Sequence, residues 1–118
     1  MFISDGYRNR RVIAFNGDTG AFTRMWGAYG KKPSSMSAEE GWAARMHKVI
    51  RSPSGRLCVA DRDKGWIQEF EVTPTSVRYI REVFIAPGTR VMNTGSAWDI
   101  AFTKDGKFMY VADGSNFR

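Results

Sequence analysis

One short element occurs three times in this chain, an apolar strand that ends in Asp and runs into a polar turn. The copies are Phe2-Ile3-Ser4-Asp5-Gly6, Cys58-Val59-Ala60-Asp61-Arg62 and Tyr110-Val111-Ala112-Asp113-Gly114. The Asp residues are 56 and 52 positions apart, about the length of a four-stranded antiparallel unit with a generous loop. A period of this length indicates repeated β units that stack on one another. We interpret each repeated Asp as a turn carboxylate that accepts backbone N–H groups.

The stretch 44–85 contains one complete copy of this unit. Runs rich in β-branched and aromatic residues lie at 47–51, 57–60, 66–72 and 77–85. Gly, Pro, Ser and Asp separate them at 52–55, 61–65 and 73–76, a composition typical of strand boundaries. Four antiparallel strands in succession predict one blade of a β-propeller. His47, the only histidine of the chain, opens that blade.

The flanking segments predict incomplete blades. Strands are expected at 2–4, 11–15, 21–27, 97–102 and 107–112. The Asn16-Gly17 and Asp105-Gly106 pairs favour tight hairpin turns, because these residues readily adopt positive φ values. We therefore expect an all-β chain, a propeller fragment of antiparallel four-stranded blades within one domain. Residues 1–27 are the C-terminal strands of a first blade, 44–85 a complete central blade and 97–118 the N-terminal strands of a third.

Composition excludes several classes of protein. The net charge is +6, but Lys and Arg are scattered, which indicates a solvated basic face and no dedicated nucleic-acid surface. No apolar run approaches the roughly 18 residues of a membrane span. No signal-peptide pattern is found at Met1, and the residues leave the compartment open, including export of a longer parent protein.

Apolar residues of the strands are assigned to the core. The lone Cys58 occupies an apolar strand position and is expected to be a buried small hydrophobe, without a redox or metal role. The four tryptophans are expected to pack between blades with their indole N–H groups hydrogen-bonded; they are Trp26, Trp42, Trp66 and Trp98.

Three segments resemble the NHL repeat of six-bladed β-propellers. They are Asp5-Gly6-Tyr7-x-Asn9-x-Arg11-Val12-x-x-Phe15, Val59-Ala60-Asp61-Arg62-Asp63-Lys64-Gly65-x-Ile67-Gln68-x-Phe70, and the beginning of a copy at Asp113-Gly114-Ser115-Asn116-x-Arg118. Trp66 stands where this family usually has Arg. Two further features resemble the peptidyl-α-hydroxyglycine α-amidating lyases and their bacterial propeller relatives. One is Trp26-Gly27 followed by a variable loop and His47, and the other is the run 95–102 followed by Asp113-Gly114-Ser115-Asn116.

The lyase resemblance implies a metal role for His47. In that family three histidines from different blades bind zinc at the propeller axis, and one of them opens a blade in a Pro-His motif. Here the motif is Met46-His47, so the proline is missing, and the chain has no second histidine. The alternative is a histidine hydrogen-bonded to backbone near the inner mouth. Because zinc affinity needs three or four preplaced ligands, we expect the isolated chain to bind zinc weakly or not at all.

The resemblance also implies roles for three other residues. Arg11 is a candidate for holding the carboxylate or hydroxyl of a peptide substrate, and Tyr7 is a candidate base. The alternative for Arg11 is structural, a charge-assisted bond to the Asp5 turn. Asp99 is a candidate calcium ligand facing the central channel, since calcium prefers hard oxygen donors.

Two classes of function stay open at this stage. One is a metal-dependent lyase that cleaves a C–N bond of a hydroxyglycine-extended peptide, with little activity expected from this chain alone. The other is a noncatalytic NHL propeller that binds a protein, glycan or RNA partner, since fold alone does not separate the two. In either case the strands at the two ends of the chain present unpaired edges, and we expect self-association through them.

Overall fold

The structure, a computed structural model, describes residues 1–33, 37, 40–85 and 95–114. Nine strands make up this part of the chain, with one short 3-10 turn at Ala28–Gly30. In chain order they are β1 Phe2–Asp5, β2 Arg11–Phe15, β3 Phe22–Trp26, β4 Met46–Arg51, β5 Leu57–Asp61, β6 Trp66–Val72, β7 Val77–Phe84, β8 Ala97–Phe102 and β9 Met109–Asp113. The start of the third NHL-like copy at 115–118, like part of the loops 28–43 and 86–96, lies outside the described residues.

The strands form three antiparallel sheets in meander order. The first sheet contains β1, β2 and β3, the second β4 to β7, and the third β8 and β9. Strand β4 contacts both β1 and β8, so the four-stranded sheet lies between the two flanking sheets. A four-stranded meander stacked between neighbours is the arrangement of propeller blades. The all-β prediction is therefore confirmed, and it matches a fragment of a propeller.

Strand β5 explains why the middle sheet is central to the core. All five of its residues are buried. Leu57 and Val59 pack in the cluster against the first sheet, whereas Cys58 and Ala60 pack in the cluster against the third. This division follows from the alternation of side chains along a strand. The prediction that Cys58 is a buried hydrophobe is confirmed, and burial raises the pKa of its thiol to about 12.

Phe70 of β6 joins the first two sheets through aromatic contacts. Its ring lies edge-on to the rings of Trp26, Trp42 and Tyr79, with centroid separations of 6.3, 5.9 and 6.0 Å. Edge-to-face pairs of this kind add to the stabilisation that burial itself provides. The first sheet is thereby held against the middle one.

The predicted environment of the tryptophans is wrong in two respects. Trp26, Trp42 and Trp66 are buried as expected, but their indole N–H groups have no hydrogen-bond partner among the described residues. Trp98 is not a core residue, since 38% of it is exposed, and its indole N–H donates to the Gly95 carbonyl at 3.1 Å.

In the described part of the chain, no helix is long and apolar enough to cross a lipid bilayer.

Candidate functional site

His47 and Trp98 occupy equivalent positions in two neighbouring sheets. The register of β4 and β5 shifts between Met46 and Lys48, and that of β8 and β9 shifts between Ala97 and Asp99. Each residue therefore sits in a bulge near the start of the first strand of its sheet. A bulge re-aims the side chain that it carries. The two rings meet edge-on, with their centroids 6.0 Å apart.

Tyr7 completes an aromatic row on the other side of His47. Its ring is stacked on the imidazole, with centroids 6.4 Å apart and an interplanar angle of 22°. The turn after β1 places it there, because Tyr7 has a φ of 56° and donates its backbone N–H to the Ala44 carbonyl. Tyr7 is 67% exposed. The described residues thus bring this predicted base next to the predicted metal ligand.

Arg62 adds a positive charge to this row. Its guanidinium lies over the Trp98 ring, 4.3 Å from the centroid, in cation–π geometry. We call the group Tyr7, His47, Trp98 and Arg62 the His47 surface. Neither Arg62 nor Trp98 was predicted as a site residue. For Trp98 a signal is present in the sequence, since it stands near the start of a first strand as His47 does; no comparable signal marks Arg62.

The imidazole of His47 is neutral at neutral pH. Partial burial lowers the pKa of His47 below its ordinary 6.5, and the positive charges of Arg62 and Arg45 lower it further, while Asp63 opposes them. A neutral imidazole can accept a proton or coordinate a metal ion. The site therefore has a base available near pH 7.

Arg11 lies in the same turn as Tyr7 but interacts with a protein carboxylate. Its Nε donates to Asp5 Oδ2 at 2.8 Å, and Asn9 donates to both oxygens of the same carboxylate. The hydrogen bond from Asn9, together with the bond and charge of Arg11, lowers the pKa of Asp5. This is the contact expected from the structural alternative for Arg11. The catalytic role of Arg11 stays a prediction.

Asp99 is paired with the lysine that follows His47. Lys48 Nζ lies 2.9 Å from Asp99 Oδ1, and the Ile100 N–H donates to the same oxygen at 2.8 Å. The Lys48 hydrogen bond, with that of Ile100, lowers the pKa of Asp99. The lysine ammonium therefore occupies a position that a calcium ion would need at this carboxylate.

The described residues do not by themselves fit zinc or calcium. Within residues 1–33, 37, 40–85 and 95–114, no group of three or more His, Cys, Asp or Glu side chains could hold a metal ion. His47 offers one donor, and the buried Cys58 lies on β5 with a thiol that stays protonated. The predicted zinc and calcium roles of His47 and Asp99 stay predictions, and no chemical step below uses a metal.

Comparison with known proteins gives one consistent result. Over 84 residues, 70% of this chain, the sequence is 37% identical to the peptidyl-glycine alpha-amidating monooxygenase of Mus musculus. Over 99 residues it is 38% identical to peptidyl-glycine alpha-amidating monooxygenase A of Xenopus laevis. The chain is homologous to a segment of these proteins. That segment is short, because the alignments cover 8% and 10% of the two relatives. No family model and no solved structure matches the chain.

Proposed function

We propose that the His47 surface is part of the substrate site of a peptidyl-α-hydroxyglycine α-amidating lyase built on an NHL-type propeller. The observation that carries the proposal is the homology to amidating monooxygenases. It is supported by the contact between Tyr7 and His47, which places two proton-carrying groups side by side on an exposed surface. The chain spans about a tenth of those relatives or less, so further blades or further copies would complete the site.

The reaction requires one proton to move within the substrate. The α-hydroxyl loses its proton, the electrons of that O–H bond form the carbonyl of glyoxylate, and the C–N bond breaks. The leaving nitrogen takes up a proton and becomes the peptide amide. Neutral His47 accepts the first proton and returns it to nitrogen, with the hydroxyl of the adjacent Tyr7 able to pass the proton along, which is general acid–base catalysis. Arg62 supplies positive charge for the substrate carboxylate, and Arg11 fixes the turn that carries Tyr7.

The test uses benzoyl-α-hydroxyglycine as substrate and measures benzamide and glyoxylate with the full 118-residue chain. We expect slow release that is still faster than in buffer, since one chain carries only part of the site. His47→Ala and Tyr7→Phe should each reduce the rate by about 100-fold or more, within the roughly 10²–10⁴ range of general acid–base catalysis. Lys107→Gln, which changes an exposed lysine beside the 103–106 turn at the other end of β8 from Trp98, should leave the rate unchanged. Because the pKa of His47 is lowered, the rate should be constant above neutral pH and fall only in acid.

A wild-type rate equal to that of buffer at every protein concentration would refute lyase activity for this chain. The noncatalytic alternative then gains support from the composition of the surface, because Tyr, Trp and Arg are the residues enriched at binding hot spots. That alternative predicts binding of a glycine-extended peptide that survives His47→Ala and is lost in Trp98→Ala. Intrinsic tryptophan fluorescence during peptide titration separates the two functions.

A further inference from the structure

A second concave site lies between the middle sheet and the β8–β9 hairpin. Its volume is about 510 Å³. The turns 52–55 and 103–106 contribute to its walls, with side chains of β6 and β7 beside them. Strand β4 leads from His47 at one end to the 52–55 turn at the other. Five residue steps of about 3.3 Å place the two ends roughly 17 Å apart. The cleft is therefore separate from the His47 surface.

The cleft carries an excess of positive charge. Its charged lining consists of four cations and two carboxylates, which are Arg56, Arg81, Lys104, Lys107, Glu69 and Asp105. The net charge is thus +2. Burial would raise the pKa of Glu69, but hydrogen bonds from Arg81 and Arg56 outweigh it and lower that pKa. Glu69 therefore stays ionised at neutral pH, and with both carboxylates charged the four cations leave the cleft with a net charge of +2.

Glu69 orders two of the cations. Its side chain is 9% exposed and accepts Nε and Nη2 of Arg81 at 3.0 and 2.9 Å, together with Nη1 of Arg56 at 3.0 Å. A guanidinium has five N–H donors, so each arginine keeps donors for a second anion. Lys104 is exposed, and Lys107 lies 3.8 Å from Asp105 in an exposed pair. The cleft thus combines two fixed guanidiniums with two adaptable ammonium groups.

Part of the cleft lining is apolar, and the two turns that line the cleft pack against each other. Phe102, Met109 and Pro53 contribute carbon atoms to the cleft. Gly106, with a φ of +70°, lies over Pro53, and a Cβ there would be 3.2 Å from the proline Cβ. The two hairpin turns are therefore in contact. A ligand in this cleft meets a charged side and a carbon-lined side.

We propose that this cleft binds a small organic phosphate monoester. A phosphoryl dianion matches the net charge of +2, and planar guanidiniums bind phosphate oxygens in pairs. Arg56, Arg81 and the two lysines hold the phosphoryl group, and Phe102 and Met109 contact the organic part. A volume of about 510 Å³ accommodates such a ligand, since small-molecule sites span roughly 300–1,000 Å³. This proposal does not depend on lyase activity.

The experiment follows backbone amide shifts of the ¹⁵N-labelled chain by NMR during titration with phenyl phosphate, inorganic phosphate and benzoate. Ionic strength is held constant at about pH 7.5, where a monoester is mostly a dianion because its second pKa is about 6. We expect saturable shifts confined to residues 52–56, 69, 81 and 102–109. Phenyl phosphate should bind more tightly than inorganic phosphate, and benzoate should bind most weakly.

Two double variants with the same change of charge distinguish a built site from general attraction. Lys104→Gln with Lys107→Gln should weaken phenyl phosphate binding by about tenfold, because charge-assisted hydrogen bonds are lost. Arg8→Gln with Lys31→Gln, both exposed and outside the cleft, should change it by less than about twofold, the scale of a screened distant charge. Arg56→Lys keeps the charge but loses the planar fork, and should also weaken binding.

Non-saturable shifts spread over all basic residues, equal weakening in both double variants, or benzoate binding as tight as phenyl phosphate would each overturn the proposal. The cleft lysines are exposed, so the double variant is expected to fold, which circular dichroism checks. Arg56→Lys gives an independent reading that does not change the charge.

Discussion

At the scale of single residues, the repeated aspartates perform different physical roles. Asp5 is bonded by the side chains of Asn9 and Arg11, and its pKa is lowered. Asp61 is fully buried and accepts the backbone N–H groups of Ala43 at 2.6 Å and Lys64 at 3.1 Å. Burial raises the pKa of Asp61 to about 6, although these bonds oppose the shift. The predicted backbone-bonded turn carboxylate is confirmed for Asp61, whereas Asp5 uses side-chain donors.

This difference gives Asp61 a distinct effect on the pH dependence of stability. The folded state holds the proton of Asp61 up to about pH 6, and the unfolded state releases it near the ordinary value of 3.8. The unfolding free energy contributed by Asp61 should therefore fall as pH rises from about 4 to 6, by roughly 1–3 kcal/mol. Urea unfolding at several pH values measures the unfolding free energies of the wild type and of Asp61→Asn, and their difference gives the contribution of Asp61.

Asp61→Asn cannot titrate, so its curve should lack this component. Its amide nitrogen also faces an N–H group that previously had an acceptor, which should cost about 1–3 kcal/mol at pH 7. Asp18→Asn, an exposed carboxylate of the 16–20 turn, is the matched control. Parallel pH curves for the wild type and Asp61→Asn would contradict the assignment.

At the scale of strands, most of the fold was readable from the sequence. The predicted bounds of β2, β6 and β8 are the observed ones, and the other strands differ by one or two residues at one or both ends. This success has a physical basis, because turn residues such as Asn16-Gly17 and Pro53-Ser54-Gly55 restrict where a strand can stop. The three equivalent strands β1, β5 and β9 were predictable because each is a short apolar run that ends in Asp.

The bulges were not readable, and the candidate site depends on them. Regular alternation would place Trp98 on the same face as Ile100, in the core. The register shift between Ala97 and Asp99 instead lets Ala97 and Ile100 be buried while Trp98 is exposed on the His47 surface. A shift of one residue depends on tertiary packing and leaves no trace in the local pattern. The expectation that Trp98, as a large apolar side chain, is a core residue fails because of this shift.

Gly95 connects this bulge to the turn after β5. Its φ is +63°, and a Cβ there would overlap the backbone carbonyl of Arg62. The Ser96 N–H donates to that same carbonyl at 3.0 Å, and the Trp98 indole donates to the Gly95 carbonyl. Arg62 and Trp98, two members of the His47 surface, are therefore held together by a close backbone approach that only glycine permits.

Gly95→Ala should lower stability by about 2 kcal/mol or more, since a strained φ and a backbone overlap occur together. It should also change the environment of Trp98, which tryptophan fluorescence reports. Gly17→Ala has no atom within 4 Å of the added Cβ and should cost well under 1 kcal/mol. Equal melting temperatures for the two variants would contradict the close approach.

At the scale of the whole molecule, the outer sheets expose strand edges and apolar side chains. By the repeat, β1 and β9 both correspond to β5, which pairs with β4 on one side and β6 on the other. Among the described residues, β1 pairs only with β2, and β9 only with β8. Ile3 on β1 is 41% exposed and Tyr110 on β9 is 61% exposed. Strand β1 therefore lacks a partner equivalent to β4, which β9 has in β8. Strand β9 lacks a partner equivalent to β6, which β1 has in β2.

A second copy of the chain can therefore supply what each outer sheet lacks. The β8–β9 register opposes Ile100 to Val111 and Ala97 to Asp113. If β8 of another copy lies along β1 in the same register, Ile100 opposes Ile3 and Ala97 opposes Asp5. Unpaired edges with apolar faces associate in this way because their backbone groups and side chains are both left in water.

We predict that the chain associates as its concentration rises, and that charges on these edge strands prevent it. Ile3→Lys and Tyr110→Lys should each raise the dissociation midpoint by about tenfold or more, because a lysine on an edge strand opposes pairing with another strand. Both positions are exposed, so the fold should persist. Tyr7→Lys makes a comparable change at an exposed residue outside the strands and should leave association unchanged. Light scattering at several concentrations measures the midpoint, and a uniform 13.3 kDa species throughout would contradict the prediction.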